Sequence, residues 1–183
     1  MTKDWKSLYA KSDPEPFEFE NGESIVYTET AIEHFTNPRN VGKVEDFDGQ
    51  GVFGDPACGD SLELTLKISD DEVITDIGFL VYGCAGAISS SSMVTELAKG
   101  CTIREALKIS DDDVVHSLGG LPEGKQHCSL LGVQALRLAI ADAVLMKRLI
   151  DEGKVKDKKE YRRLRDEKKI RFAFERTEGD NKE

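Results

Sequence analysis

Leu62, Leu64, Leu66 and Ile68 alternate with Ser61, Glu63, Thr65 and Lys67. A period of two puts the four apolar side chains on one face of an extended strand and the polar ones on the other. Asp70-Asp71-Glu72 follows as a short polar connection, and Val73 to Tyr82 is a second run rich in β-branched residues. A strand, a short hairpin connection and a strand must pair antiparallel. The rest of the chain has to fold around this half-buried ribbon.

On its N-terminal side, residues 1–24 are polar and broken by Pro14, Pro16 and Gly22, yet carry Trp5, Tyr9, Phe17 and Phe19. They read as an extension that packs on the body. Thr28 is an N-cap for a helix from Glu29 to Thr36, with Glu29 in the favoured first turn and Asn37-Pro38 ending it. His34 lies on that helix and reads as a packing or surface histidine, since a lone His is readily accommodated. Residues 37–51 read as loop. In Gly54-Asp55-Pro56-Ala57-Cys58-Gly59-Asp60, Pro56 fixes one φ and Gly59 permits a positive one, so this stretch reads as a turn entering the first strand.

After Tyr82 the pattern changes period. Ala87, Ile88, Ser91, Val94, Leu97 and Ala98 recur at helical spacing, with Lys99-Gly100 as the stop. Four consecutive serines, Ser89 to Ser92, imply that another element approaches this helix closely. Thr102-Ile103-Arg104-Glu105 is a capping box for a helix ending near Lys108. Cys101 precedes it as a small apolar staple. Ser110-Asp111-Asp112-Asp113 opens another short helix to about Ser117, its acids being usual for a first turn. After the glycine-rich loop 118–126, the longest helix runs from Ser129 to about Asp151, with Asp142 interrupting its apolar stripe. Residues 157–169 read as a charged helix capped by Asp157. Ile170 to Phe174 alternates like a short strand. The two extensions are expected to dock on one another, this segment pairing with Phe17-Glu18-Phe19-Glu20, or on the body; the alternative is two independent tails whose aromatics meet a partner.

Charge bounds the partners. The 183 residues carry a net −10. Residues 152–183 hold 12 Lys/Arg and 9 Asp/Glu, a net of +3, so the acidity lies in the remainder. A phosphate backbone needs a basic surface, so nucleic acid is not the expected main partner. No apolar run approaches the roughly 20 residues of a membrane span, and no signal-peptide core follows Met1. The expected location is cytoplasmic, where thiols stay reduced. The four cysteines there serve metals, catalysis or packing rather than disulfides.

Cys58, Cys84 and Cys128 each adjoin a secondary element, after a glycine-bearing loop or a histidine. Cys84 and Cys128 stand at helix starts, where free amides and the macrodipole favour a thiolate. Asp60 adds a hard oxygen donor and His127 a nitrogen donor. No CxxC pair is present, so a structural zinc ribbon finds little support. Pattern alone leaves a shared metal site and three unconnected cysteines as equal readings.

Four segments decide further. Glu33-His34-Phe35-Thr36-Asn37-Pro38-Arg39-Asn40-Val41-Gly42, Pro56-Ala57-Cys58-Gly59-Asp60, Tyr82-Gly83-Cys84-Ala85-Gly86-Ala87-Ile88-Ser89-Ser90-Ser91 and Lys125-Gln126-His127-Cys128-Ser129 resemble, in order and spacing, the iron–sulfur cluster assembly scaffolds of the IscU type, equivalent to the N-terminal domain of NifU. The resemblance covers about Tyr27 to Asp151. It implies an α+β fold, a small mainly antiparallel sheet with helices on one face. With the composition of the two ends, which the resemblance does not explain, the chain divides into an N-terminal extension (1–24), a scaffold domain (25–153) and a charged C-terminal extension (154–183). It implies that Cys58, Cys84 and Cys128 hold a transient [2Fe–2S] cluster, with Asp60 or His127 as fourth ligand. Zinc or iron(II) is the occupant in its absence. Cys128 is then the first candidate to accept persulfide sulfur, a stoichiometric rather than an enzymatic role, with His127 beside it to take a proton or bind metal.

The partners so implied are a cysteine desulfurase, an iron donor or frataxin-like protein, an electron donor and acceptor apoproteins. Many members also use an Hsp70-type chaperone pair, and a homodimer sharing the cluster is a further assembly. Leu121-Pro122-Glu123-Gly124-Lys125 stands where many members have two prolines followed by Val-Lys. The competing reading is a zinc-bound sulfur acceptor of the SufU type. Those relatives carry a long insertion between the second and third cysteines that this sequence lacks. A hydrolase using Cys128 and His127 finds little support, because adjacent residues make a poor base–nucleophile pair.

Overall fold

The structure is a computed structural model and describes residues 14–18, 24–55, 59–122, 125, 127–167 and 169–170. The chain divides into two compact units, Met1–Ala143 and Val144–Glu183.

In the first unit, β1 (Pro14–Glu18) and β2 (Ser24–Thr28) form an antiparallel pair in which Phe17 lies opposite Ile25. Phe17 and Glu18 pair along one edge with Ile25 and Ser24 of the neighbouring strand. Residues 19, 20 and 171–176 of the expected pairing with the C-terminal segment lie outside the described residues. α1 (Glu29–Thr36) starts as expected, with the Thr28 hydroxyl accepting from the Ala31 amide at 3.0 Å. That same hydroxyl donates to the carbonyl of Leu118.

The main sheet is antiparallel with the order β3 (Gly49–Asp55), β4 (Asp60–Ile68) and β5 (Ile74–Tyr82). Leu62, Leu64 and Leu66 are fully buried, so the period-two reading of β4 gives the correct inner face. Opposite them stand Val81, Phe79 and Ile77 of β5. On that face pack α2 (Ala85–Ala98) through Met93, Val94 and Leu97, and α5 (His127–Asp151) through Leu131, Ala135, Leu136 and Ile140. Between these helices come two short ones, α3 (Ile103–Ala106) and α4 (Asp111–Ser117), each with a complete capping box. α3 stops two residues before the expected Lys108, with Leu107 as its C-cap. Cys101 is buried, its thiol donating to the Leu97 carbonyl at 3.2 Å.

β3 occupies a stretch that reads as loop and turn. Its sequence, Gly-Gln-Gly-Val-Phe-Gly-Asp, has three glycines in seven positions, which a propensity argument counts against a strand. Packing supplies the reason for them. A Cβ on Gly49 would fall 2.0 Å from the Ala139 carbonyl oxygen, and one on Gly51 2.1 Å from that of Ala135. The strand lies directly on the backbone of α5, with no room for a side chain between. Asp142, fully buried on α5, accepts a hydrogen bond from the Gln50 amide at 2.9 Å. The break in the apolar stripe is thus a clamp between helix and strand.

α5 is long and apolar enough to cross a membrane by length and composition, which corrects the reading that no run approaches a span. Its apolar residues Ala135, Leu136 and Ala139 are fully buried in the core of the first unit, which accounts for that composition.

The second unit holds the C-terminal part of α5 and α6 (Lys158–Asp166). Asp157 caps α6, accepting from the Glu160 amide at 2.8 Å. Tyr161, Val155 and Met146 form its small core, with Leu164 and Ile170 packed against it. The expected strand from Ile170 to Phe174 lies, beyond Ile170, outside the described residues.

Candidate functional site

Three chain segments bring polar donors together at one end of the main sheet. Asp60 opens β4, Cys84 is the N-cap of α2, and His127 and Cys128 open α5. Gly59, with φ +74°, turns the chain into β4. Cys58 lies just outside the described residues.

The Sγ atoms of Cys84 and Cys128 are 3.6 Å apart, and each is 3.9 Å from Asp60 Oδ2. A disulfide requires about 2.05 Å, and both thiols are free. His127 Nε2 stands 3.7 Å from Cys128 Sγ. The donor atoms of Asp60, His127 and Cys128 all lie within 4.8 Å of one another, a spread that one metal ion could gather. Cys128 is 1% exposed and Asp60 8%, while Cys84 is half-buried and His127 exposed. The site is therefore open on the His127 side and closed beneath Cys128.

Helix-start position does not decide the state of Cys128. Burial pushes its thiol up to about 12, with neighbouring Cys84 and then Asp60 adding to the effect and Lys125 opposing it. The expectation that a helix start favours the thiolate is corrected at this residue: desolvation of the charge outweighs the dipole. The metal-free site holds Cys128 as a neutral thiol.

Three residues that carry no assigned role in the sequence reading border the site. Tyr27 of β2 has its phenol raised, first by burial and then by Cys84 and Cys128, with the backbone of Gly86 acting against it. Lys125 is the cation felt by Cys128, and its carbonyl accepts the Cys128 amide at 3.1 Å. Gly83 has the Asp60 carboxylate where a side chain would stand. No sequence spacing connects Tyr27 with the thiols or Gly83 with Asp60; burial makes the first link and the β4–β5 register the second.

His34 has a structural place. It is 1% exposed, its Nδ1 lies 2.8 Å from Ser92 Oγ and its Nε2 3.5 Å from Glu96. Burial lowers its pKa, and Arg39 lowers it further against the pull of Glu96 and Glu33. Ser89 donates to the Ala31 carbonyl at 2.7 Å, so Ser89 and Ser92, at the two ends of the serine run, form a polar seam between α2 and α1. Asp113 completes the capping box of α4.

Residues 26–148 match the family described as the NifU-like N terminal domain. The chain belongs to this family. Its NifU-like region is 52% identical over 117 residues to the iron-sulfur cluster assembly scaffold protein IscU 1 of Archaeoglobus fulgidus, covering 64% of this chain and 76% of that protein. It is 42% identical over 131 residues to the IscU scaffold protein of Aquifex aeolicus, covering 71% and 83%. The IscU scaffold protein of Escherichia coli K12 is 46% identical over 121 residues, covering 64% and 94%. Among solved structures, the NifU-like N-terminal protein of Brucella abortus superposes with a TM-score of 0.52 at 23% identity, over 64% of this chain and 94% of that one. A SUF-system scaffold protein described as putative, from Fervidobacterium islandicum, gives 0.52 at 21% identity, over 62% and 96%. These two likenesses concern the fold. The α+β architecture read from the sequence, a small antiparallel sheet with helices, is the NifU-like one.

Proposed function

We propose that this protein is a scaffold on which a [2Fe–2S] cluster is assembled from iron and persulfide sulfur and then passed to acceptor apoproteins. The observation that carries the reading is the convergence of Asp60, Cys84, His127 and Cys128, from three separate segments, on one exposed end of the sheet. Membership of a family whose named relatives are cluster assembly scaffolds supports it.

Cys58, Cys84 and Cys128 are the proposed thiolate ligands of the cluster, which is cargo rather than a resident cofactor. Asp60 or His127 completes the set. Soft thiolates suit iron–sulfur clusters, while a carboxylate oxygen is a harder and poorer match. Asp60 therefore keeps the cluster exchangeable. Cys128 receives sulfur by attacking the outer sulfur of a donor persulfide, with the donor cysteine leaving as thiolate. It must first lose its proton. Incoming metal drives that loss, because ligation requires the thiolate and releases the proton to solvent. Lys125 favours the same ionisation, and His127 can carry the proton outward.

A cysteine desulfurase as sulfur source follows from this chemistry, as do an iron donor, an electron donor and acceptor apoproteins. A second reading has one observation in its favour. Asp60, His127 and Cys128 offer the mixed oxygen, nitrogen and sulfur donors that suit tetrahedral zinc. In that reading the protein is a zinc-bound sulfur acceptor.

Metal analysis after anaerobic purification, followed by reconstitution with iron and sulfide, separates the two. Iron with equimolar acid-labile sulfide is the result expected of a scaffold. Zinc that persists through reconstitution, with no labile sulfide, would replace it by the zinc reading.

A further inference from the structure

Gly83 follows the last registered residue pair between β4 and β5, Ser61 with Tyr82, and so stands beside Asp60. Its φ is not among the left-handed ones, so backbone conformation does not require glycine there. Space does. A Cβ on Gly83 would meet Asp60 Cγ and Oδ1, each at 3.0 Å, and the Ala87 Cβ at 2.8 Å. The carboxylate lies in tight contact with the place a side chain would take, as does the Ala87 methyl.

We propose that Gly83 is a positioning residue: by having no side chain it provides the seat that aims Asp60 at the two thiols. Resting on this seat, Asp60 Oδ2 reaches 3.9 Å from both Cys84 Sγ and Cys128 Sγ. Asp60 is only 8% exposed, so the carboxylate is held against its neighbours and not in open solvent. Any side chain at 83 must therefore move the carboxylate, the first turn of α2, or both. Gly86 provides a contrast within the same site. A Cβ there would lie 3.5 Å from Cys128 Sγ and 3.6 Å from Cys84 Sγ, ordinary contact distances that an alanine satisfies.

The inference rests on Asp60 belonging to the metal site proposed above, and its test is built to fail separately. The crystal structure of metal-free Gly83→Ala reads the seat itself. The expected result is an Asp60 carboxylate moved away from the two sulfurs; an unmoved carboxylate overturns the proposal. Cobalt(II) titration of the full chain, followed by thiolate-to-cobalt charge-transfer absorption, reads the consequence without any cluster. Gly83→Ala is expected to bind cobalt about 10- to 100-fold more weakly, the usual cost of losing a group that orients a ligand. Asp60→Ala should lose a similar factor, and Gly83→Ala/Asp60→Ala no more than Asp60→Ala alone. Independent losses that multiply would overturn the proposal.

Ala87→Gly, added to Gly83→Ala, removes the helix contact and should leave binding as weak; recovery would assign the effect to α2 and overturn it. Should Gly83→Ala not fold, folding of the double variant with Asp60→Ala supports the seat, and failure there defeats it. A displaced carboxylate with undiminished cobalt binding in both single variants would keep the seat and discard Asp60 as a ligand.

Discussion

Among the described residues of the candidate site, Cys128 combines the lowest exposure with the proposed role that most needs a charge. With its pKa pushed up to about 12 from the 9 of an ordinary thiol, the folded protein holds the proton where the unfolded chain releases it. Stability from this group is therefore complete below about pH 9 and is lost as pH rises towards 12. For reactivity, iodoacetamide should label Cys128 of the metal-free protein at pH 7 roughly two to three orders of magnitude more slowly than in the denatured chain. Mass spectrometry of the labelled peptide checks this; equal rates would mean an ionised, accessible thiol. Lys125→Gln should slow labelling further, because it removes the cation that favours the thiolate.

Substitutions divide the four cysteines. Cys58→Ser, Cys84→Ser and Cys128→Ser should each abolish a stable reconstituted cluster by visible absorption, while Cys101→Ser, altering a thiol bonded to Leu97, should retain it. A full cluster spectrum in Cys84→Ser would defeat the assignment. Asp60→Ala should slow transfer to an acceptor, followed by circular dichroism, and equal or faster transfer would take Asp60 out of the release step.

At the scale of elements, capping chemistry and alternation are local signals, and they read correctly. Thr28, the Thr102–Glu105 box, the Ser110–Asp113 box and Asp157 each start a helix where the sequence places one. β4 and β5 show themselves through side-chain period. β3 does not, because the cause of its glycines lies about ninety residues away on α5. The same holds for the site. Its motif residues are legible, but the seat under Asp60 depends on strand register and the state of Cys128 on burial.

Gly51→Ala tests the β3–α5 contact. Forcing a methyl against the Ala135 carbonyl should cost about 3 kcal/mol or more, at the upper end of overpacking, read as a lower urea midpoint. An unchanged midpoint would mean that β3 can lift off α5 freely. The α1–α2 joint adds a pH dependence. His34 has its pKa lowered by burial, so the unfolded chain takes up its proton first as pH falls. Its contribution is complete above about pH 6.5 and is lost below it. Urea midpoints should fall between pH 7 and 5, and His34→Leu should flatten that slope; an equally steep slope would place the titration elsewhere.

Across the whole molecule, the two units have separate cores, one around Leu64, Leu136 and Met93, the other around Tyr161. Tyr161→Ala should loosen the second unit by about 3–5 kcal/mol, by analogy with other buried aromatics. Amide exchange should then quicken in α6 while β4 and β5 keep their protection. Faster exchange in the main sheet would show the units to be energetically joined. The family accounts for residues 26–148, and the basic second unit extends beyond it. Composition marks that change of character, because charge is legible without a fold.

The serine run of α2 has a further consequence. Ser90 and Ser91 are buried, and their hydroxyls meet no hydrogen-bond partner among the described residues. Each such group withholds about 1–3 kcal/mol that an apolar atom would not. The helix that presents Cys84 thus carries an unused reserve of stability, open to laboratory evolution through nothing larger than serine to alanine. A selection for heat resistance alone should find Ser90→Ala and Ser91→Ala early. A selection that also demands transfer of the proposed cluster should leave them alone, because a tighter helix holds Cys84 more firmly in place.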